Sequence, residues 1–91
     1  MNERQIQKIY YSSKFSKSLA EMPPFVKKAF LKREALFLTN AFHSSLDTHK
    51  LHGKYRDYWA FTVIGQHRIM FSFKDGNEVN FINIGTHAIY K

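Results

Sequence analysis

The histidines of this sequence lie unevenly, and histidine is the side chain best suited to proton transfer near neutral pH. All five fall in the second half of the chain, outside the part with helical spacing. They are His43, His49, His52, His67 and His87. Cleavage of RNA by its own 2′-hydroxyl needs a base, an acid and a cation for the phosphate. Imidazoles close to basic side chains can supply all three without a metal ion.

Residues 48–54 form a basic segment that combines two imidazoles with two ammonium groups. The four side chains are those of His49, Lys50, His52 and Lys54. Gly53 lets the backbone of this segment approach a ligand closely. The composition predicts a phosphate-binding loop, and Arg56 extends the same run of cations.

A zinc site is an alternative use of the same segment. His49 and His52 could bind the metal together with Asp47 or His87. The chain has no cysteine and no second pair of residues at metal-ligand spacing, so the zinc signal is weak. The absence of cysteine also excludes disulfides and favours a reducing compartment, for which the cytoplasm is the expected location.

Arg68 and the C-terminal residues complete the set of candidates. Alternation along a strand turns Ile69 and Phe71 to one face and Arg68 to the other. Arg68 could clamp a phosphate with two hydrogen bonds or pair with a surface carboxylate, and its position alone favours the pairing. His87 and Tyr90 lie in a tail rich in branched and aromatic residues. We expect this tail to stay docked, with Tyr90 able to stack on a base or donate to a phosphate.

The first half of the chain predicts a strand and a helical hairpin. We expect the strand at residues 5–11 and two helices separated by Pro23 and Pro24, because proline ends one helix and is tolerated in the first turn of the next. The second helix is apolar along two stripes. The first stripe is expected to pack on a sheet. The second, which includes Leu31, could contact the first helix or a partner protein, and the first helix is preferred.

The second half predicts the rest of an α+β fold. Residues 42–56 are polar and without a regular period, which indicates a loop. Strands are expected at residues 59–64, 68–73 and 79–84, joined by short turns into an antiparallel meander. With the N-terminal strand they form one sheet that has the helices on one face and the other face free.

Composition limits the class of partner. The chain has 91 residues, and 14 Lys and Arg against 7 Asp and Glu give a net charge of +7. A chain of this length is expected to form one domain over residues 1–91, without room for a cofactor domain. Hydrophobic residues at 44% exclude a disordered chain. The charge favours nucleic acid as partner, although surplus lysines can also serve only to keep a protein dissolved.

The ordered set of motifs resembles the RelE/ParE toxins, in particular the YafQ-like and RelE/StbE branches. The resemblance spans nearly the whole chain. It is carried by residues 49–54, by Tyr58 with Trp59, by residues 67–71 and by residues 85–90. It implies a RelE/ParE-like fold and the toxin of a type II toxin–antitoxin system, which cleaves messenger RNA in the ribosomal A site without a metal or other cofactor. The implied partners are a cognate antitoxin, messenger RNA and the ribosome, with no membrane.

The resemblance also implies roles for single residues. Arg68 matches the strand arginine that contacts the scissile phosphate, and Lys54 lies in a segment directed at RNA. His87 matches an acid–base histidine of YafQ-like toxins, His49 a loop histidine that is a base or positions the substrate, and Tyr90 an aromatic residue near the substrate. The residues then expected to bind the RNA backbone are Lys50, His52 and Arg56.

Two departures and two alternative functions remain open at this point. Thr62 and Gln66 stand where YafQ-like toxins carry another histidine and an aspartate, which leaves the identity of the general base open. A ParE-like inhibitor of DNA gyrase would share the fold without any hydrolysis of its own. A non-catalytic RNA-binding module would keep the basic face and lose little when His87 is replaced. The cluster of imidazoles favours the ribonuclease.

Overall fold

The computed structural model describes residues 4–90. Its strands are β1 Lys8–Tyr11, β2 His49–Lys50, β3 Trp59–Ile64, β4 His67–Phe73 and β5 Glu78–Gly85. They form one sheet in the order β1-β5-β4-β3-β2. β1 runs parallel to β5, and every other neighbouring pair is antiparallel. The predicted α+β class, N-terminal strand and meander are confirmed, while β2 lies in the segment that the sequence predicted to be loop.

The helical hairpin consists of α1, Ser13–Ala20, and α2, Pro24–Thr39. α1 begins where the Ser12 hydroxyl accepts a hydrogen bond from the amide of Phe15 at 2.9 Å, a standard N-cap. Pro24 is the first residue of α2, as predicted. Proline is tolerated there because an N–H group in the first turn would have no acceptor within the helix. Within residues 4–90, neither helix has both the length and the apolar character needed to cross a membrane.

An aromatic core joins the hairpin to the sheet. Phe37 of α2 is fully buried and stacks on Phe61 of β3 at 4.7 Å between ring centroids. Its ring also meets the edges of Phe71 in β4 and Phe81 in β5, at 5.0 and 5.4 Å. One helix residue therefore contacts the three central strands, and this packing sets the position of the sheet that carries the candidate residues.

The second apolar stripe of α2 is only partly covered. Leu31 is 66% exposed and Tyr11 is 50% exposed. Both line a mostly apolar groove of about 540 Å³ between α1 and α2, together with Phe15 and Leu19. The expectation that α1 covers this stripe is wrong at Leu31, because α1 spans 8 residues against 16 for α2.

The sheet face opposite the helices carries a smaller second core, so the prediction that it is free is wrong. The buried residues of this second core are Leu51, Ala60 and Met70. The partly buried residues packed against them are Tyr55, Tyr58, Ile82, Ile89 and Tyr90. Segments before β3 and after β5 fold over this face because each carries apolar side chains that are removed from water there.

Candidate active site

The basic segment is attached to the sheet edge rather than crossing the surface as a free loop. His49 and Lys50 form β2 and pair with Ala60 and Trp59 of β3. The Leu51 amide then donates to the carbonyl of Tyr58 at 3.0 Å. Because Leu51 is 9% exposed within the second core, the segment is held by both backbone pairing and side-chain burial.

The C-terminal residues are docked, as the sequence predicted. After β5 the chain forms a 3₁₀ turn at His87–Tyr90, called the C-terminal turn below. The Ile89 amide donates to the carbonyl of Thr86 at 3.0 Å, and Ile89 and Tyr90 pack against the second core. Packing of these two side chains positions His87, which is itself exposed.

The basic segment and the C-terminal turn enclose a cavity of about 410 Å³, called the loop–tail cavity below. Its lining residues are His49, Lys50, Leu51, His52, Lys54, Tyr55, His87 and Tyr90. Six of these eight were candidates from the sequence. Residues more than thirty positions apart in the chain thus bring imidazoles, ammonium groups and phenols to one opening.

Arg68 lies beside this cavity on the middle strand. It is half-buried and stands in β4 between Thr62 of β3 and Gly85 of β5. Its guanidinium is close enough to Tyr90 for its charge to offset part of the rise in pKa that burial causes in that phenol. Within residues 4–90, Arg68 has no hydrogen bond or ion pair with a carboxylate. The surface pairing that its position alone favoured is therefore not found in this part of the chain.

The hydroxyl of Tyr90 is buried and unpaired. Burial raises the pKa of Tyr90 above its ordinary value, and the charge of Arg68 offsets part of that rise. The phenol therefore stays neutral and can act as a hydrogen-bond donor at physiological pH. Within residues 4–90, its oxygen has no hydrogen-bond partner. The ring meets His87 edge-on at 5.3 Å between centroids.

His49 is held in one tautomer by its own segment. Its Nδ1 lies 2.9 Å from the carbonyl oxygen of Asp47, and because a carbonyl only accepts, Nδ1 carries the proton. Asp47 adopts a left-handed conformation with φ of 52°, which turns the chain back toward the ring. In the neutral ring the lone pair is then on Nε2, as a general base requires.

Comparison with known proteins identifies the architecture. No family model matches the chain, and no curated protein matches it. Among solved structures, YafQ from Escherichia coli strain BL21(DE3) aligns with a TM-score of 0.67 and 21% identity over 94% of this chain and 98% of YafQ. The toxin–antitoxin complex RelBE2 from Mycobacterium tuberculosis aligns at 0.77 with 11% identity, over 97% and 99% of the two chains. The RelB–RelE antitoxin–toxin complex from Methanococcus jannaschii aligns at 0.69 with 24% identity, over 89% and 94%.

This chain has the RelE/ParE fold. The likeness to solved structures confirms the fold that the motifs predicted. In this RelE/ParE fold the loop–tail cavity lies on the sheet face opposite the helices, and Arg68 stands on the same face because it alternates with Ile69 of the main core.

Some residues that the sequence suggested for a site lie apart from the cavity or have another role. Arg56 is exposed, follows the 3₁₀ turn at Gly53–Tyr55 and does not line the cavity. His43 accepts a hydrogen bond from the amide of Ser45 at 3.1 Å, a structural role. Within residues 4–90, no three His, Asp or Glu side chains are grouped to hold a metal ion. The zinc site considered for His49 and His52 is therefore not assembled.

Two residues that line the cavity were not assigned to the site from the sequence, although the ring of Tyr55 could be expected to stack on a base as that of Tyr90 could. Leu51 and Tyr55 line it beside the charged groups. The signal available in the sequence was an apolar or aromatic residue inside an otherwise polar segment, which needs a surface to pack on. The sequence could not show that this surface is the sheet face opposite the helices.

Replacing Tyr90 with phenylalanine tests whether its buried, unpaired hydroxyl serves a bound phosphate rather than the stability of the fold. Removing a buried polar group that has no partner should raise the free energy of unfolding by about 1 kcal/mol. If the hydroxyl donates to a bound phosphate, RNA cleavage should fall about tenfold at the same time. Urea unfolding and cleavage rates measure the two effects. A Tyr90→Phe protein that is less stable than wild type would contradict this account.

Proposed function

We propose that this chain is the toxin of a type II toxin–antitoxin system and acts as a ribosome-dependent endoribonuclease on messenger RNA. The observation that carries the proposal is the loop–tail cavity, which groups His49, Lys54, His87 and Tyr90 next to Arg68. A cleavage site for RNA needs a base, an acid and cations around one phosphate. This cavity offers all of them from side chains alone.

The geometry supports a cleavage in which no water takes part. Neutral His49 accepts the proton of the 2′-hydroxyl on Nε2, and the 2′-oxygen attacks the adjacent phosphorus. The bond from phosphorus to the 5′-oxygen breaks, and protonated His87 donates its proton to that leaving oxygen. The products are a 2′,3′-cyclic phosphate and a 5′-hydroxyl. Arg68 and Lys54 stabilise the added negative charge of the phosphorane.

Other cations are proposed to bind the RNA backbone rather than react. Lys50 and His52 line the loop–tail cavity beside the reacting groups. Arg56 lies outside the cavity and is exposed, so it can contact a phosphate further along the strand. The net charge of +7 supports attraction to messenger and ribosomal RNA. The proposed site of action is the ribosomal A site in the cytoplasm.

A cognate antitoxin is the proposed protein partner. The complexes from Mycobacterium tuberculosis and Methanococcus jannaschii are toxin–antitoxin complexes by name. In this chain, the groove between α1 and α2 exposes Leu31 and Tyr11. An amphipathic helix or an added strand of an antitoxin is expected to cover this groove or the basic face.

Inducible expression in a bacterial host tests the function, with wild type and His87→Ala compared. Growth is followed while the 5′ ends of messenger RNA are mapped. The proposal expects growth to stop with cuts inside translated codons, and expects His87→Ala to relieve both. His87 is exposed, so equal melting temperatures of the two proteins are the control for folding.

Three outcomes would contradict either the ribonuclease or the role proposed for His87. Growth arrest with DNA damage and intact transcripts would identify a gyrase inhibitor. Cuts that persist unchanged in His87→Ala would remove His87 from the reaction, and binding of RNA without any cuts would leave a non-catalytic module.

A further inference from the structure

The C-terminal turn separates the loop–tail cavity from a second cleft on the side of α1. This second cleft has a volume of about 420 Å³, within the range of roughly 300–1,000 Å³ that is usual for ligand pockets. Its polar lining residues are Lys14, Ser18, His67, Asn83 and Thr86. Thr86 lines the second cleft and His87 lines the loop–tail cavity. The two openings are therefore neighbours across one short stretch of backbone.

The second cleft lies where β5 extends beyond the end of β1, its neighbouring strand. The last pair between β1 and β5 joins Tyr11 to Phe81, but β5 continues to Gly85. Along this open edge the Ser12 hydroxyl donates to the carbonyl of Ile82 at 2.8 Å. The amide of Ile84 donates to the side-chain oxygen Oδ1 of the preceding Asn83 at 2.9 Å. Side chains thus replace the missing strand.

Among the residues of this edge, Asn83 gives the indication that the cleft binds a ligand. Asn83 is 7% exposed, and among residues 4–90 it is the one polar residue that is classed with the buried residues. In that part of the chain, its amide makes one hydrogen bond, through Oδ1. Its Nδ2 donors have no acceptor there, and this nitrogen is accessible to solvent rather than fully buried. Because Asn83 lines the second cleft, an acceptor bound in the cleft would complete its hydrogen bonding.

The other lining residues select a negatively charged acceptor. Lys14 supplies an ammonium group, and Ser18 and Thr86 supply hydroxyls. His67 adds a ring N–H donor, and none of the residues lining the cleft is an Asp or Glu. Several donors around one opening without a carboxylate suit the oxygens of a phosphodiester.

We propose that the second cleft binds the nucleotide next to the scissile phosphate, on the same RNA strand that enters the loop–tail cavity. This inference rests on the proposed function. The strand crosses the C-terminal turn, with its scissile phosphate at His87 and the neighbouring phosphate and sugar at Lys14 and Asn83. Passage through both openings would select an extended single strand, because a duplex cannot follow the turn.

Binding of a labelled 2′-fluoro RNA hexanucleotide to the purified chain tests this path, since the substitution removes the attacking hydroxyl. Asn83→Asp keeps an oxygen for the Ile84 amide but replaces the free donors by a negative charge. It should weaken binding about tenfold or more. Lys14→Ala should reduce the slope of log affinity against log salt by about 0.7, the value for one phosphate contact on a single strand.

Two controls make the result specific. Lys17→Ala removes an exposed lysine of α1 that does not line the second cleft, and it should keep the wild-type affinity. A dinucleotide contains the scissile phosphate but lacks the neighbouring phosphate, so Asn83→Asp should weaken its binding less than that of the hexanucleotide. Equal losses for dinucleotide and hexanucleotide would show that Asn83→Asp acts on the loop–tail cavity itself, which contradicts the proposal.

Other outcomes separate this inference from the proposed function. Unchanged hexanucleotide binding in both cleft variants, with cleavage still dependent on His87, would overturn the second cleft and leave the ribonuclease intact. Loss of hexanucleotide binding in the variants, without any cleavage by wild type, would support the cleft and overturn the ribonuclease. Wild type that does not bind the hexanucleotide would also overturn the proposal.

Discussion

Replacing Arg68 with alanine is expected to lower the rate of messenger-RNA cleavage by about 10²–10³-fold, the usual cost of losing one group that stabilises transition-state charge. Arg68 stands beside Tyr90 and the loop–tail cavity. In the described part of the chain it has no carboxylate partner, so its charge is available to a phosphate. Single-turnover cleavage on programmed ribosomes, at saturating toxin, measures the effect on the chemical step.

Arg68→Lys is the matched variant for this prediction. It keeps the charge but loses the planar pair of donors that holds two phosphate oxygens at once. We expect its rate to lie between those of wild type and Arg68→Ala. The melting temperature of both variants should stay close to that of wild type, because Arg68 has no ion pair within residues 4–90 to lose. Equal rates for Arg68→Ala and wild type would remove Arg68 from the mechanism.

Local signals account for the parts of the fold that the sequence predicted. The proline pair marks the junction between the helices, and α2 begins at Pro24 as expected. The strand expected at residues 59–64 coincides with β3. In these segments, apolar periodicity and turn residues act over a few positions, so no distant contact is needed to place them.

Distant contacts account for what the sequence did not show. β2 has two residues, His49 and Lys50, and exists because they pair with β3. The pairing of β4 with β5 shifts between Met70 and Phe71, so that Ile82 joins the second core and Ile84 joins the main core. The buried positions change there from odd to even numbers, a sign of a β-bulge that could have been found.

The sequence predicted most of the residues that line the candidate site, but not the residues whose packing positions them. Six of the eight lining residues of the loop–tail cavity were candidates because charged and imidazole groups are rare enough to stand out. Leu51 and Ile89, which hold the two walls of the cavity in the second core, have no chemistry to attract notice. Asn83 was missed because its place on an unpaired strand edge depends on β1 ending at Tyr11, which the sequence does not show.

The position of the C-terminal turn depends on a glycine. Gly85 ends β5, and a Cβ added there would lie 2.6 Å from Cγ2 of Ile89. That atom belongs to a branched side chain packed against the second core, so it cannot rotate away at low cost. Gly85→Ala should therefore displace the turn that carries His87 and Tyr90. A displacement of about 1 Å is expected to lower the cleavage rate about a hundredfold.

A double-mutant cycle distinguishes this clash from a general loss of stability. Ile89→Ala removes Cγ2, so Gly85→Ala should cost little further activity in that background, although Ile89→Ala itself loses packing in the second core. Cleavage rates and melting temperatures of wild type, both single variants and the double variant complete the cycle. The same hundredfold loss from Gly85→Ala in both backgrounds would show that contact with Ile89 is not the cause. Strong coupling would establish that the main role of Gly85 is to let the C-terminal turn close on the sheet.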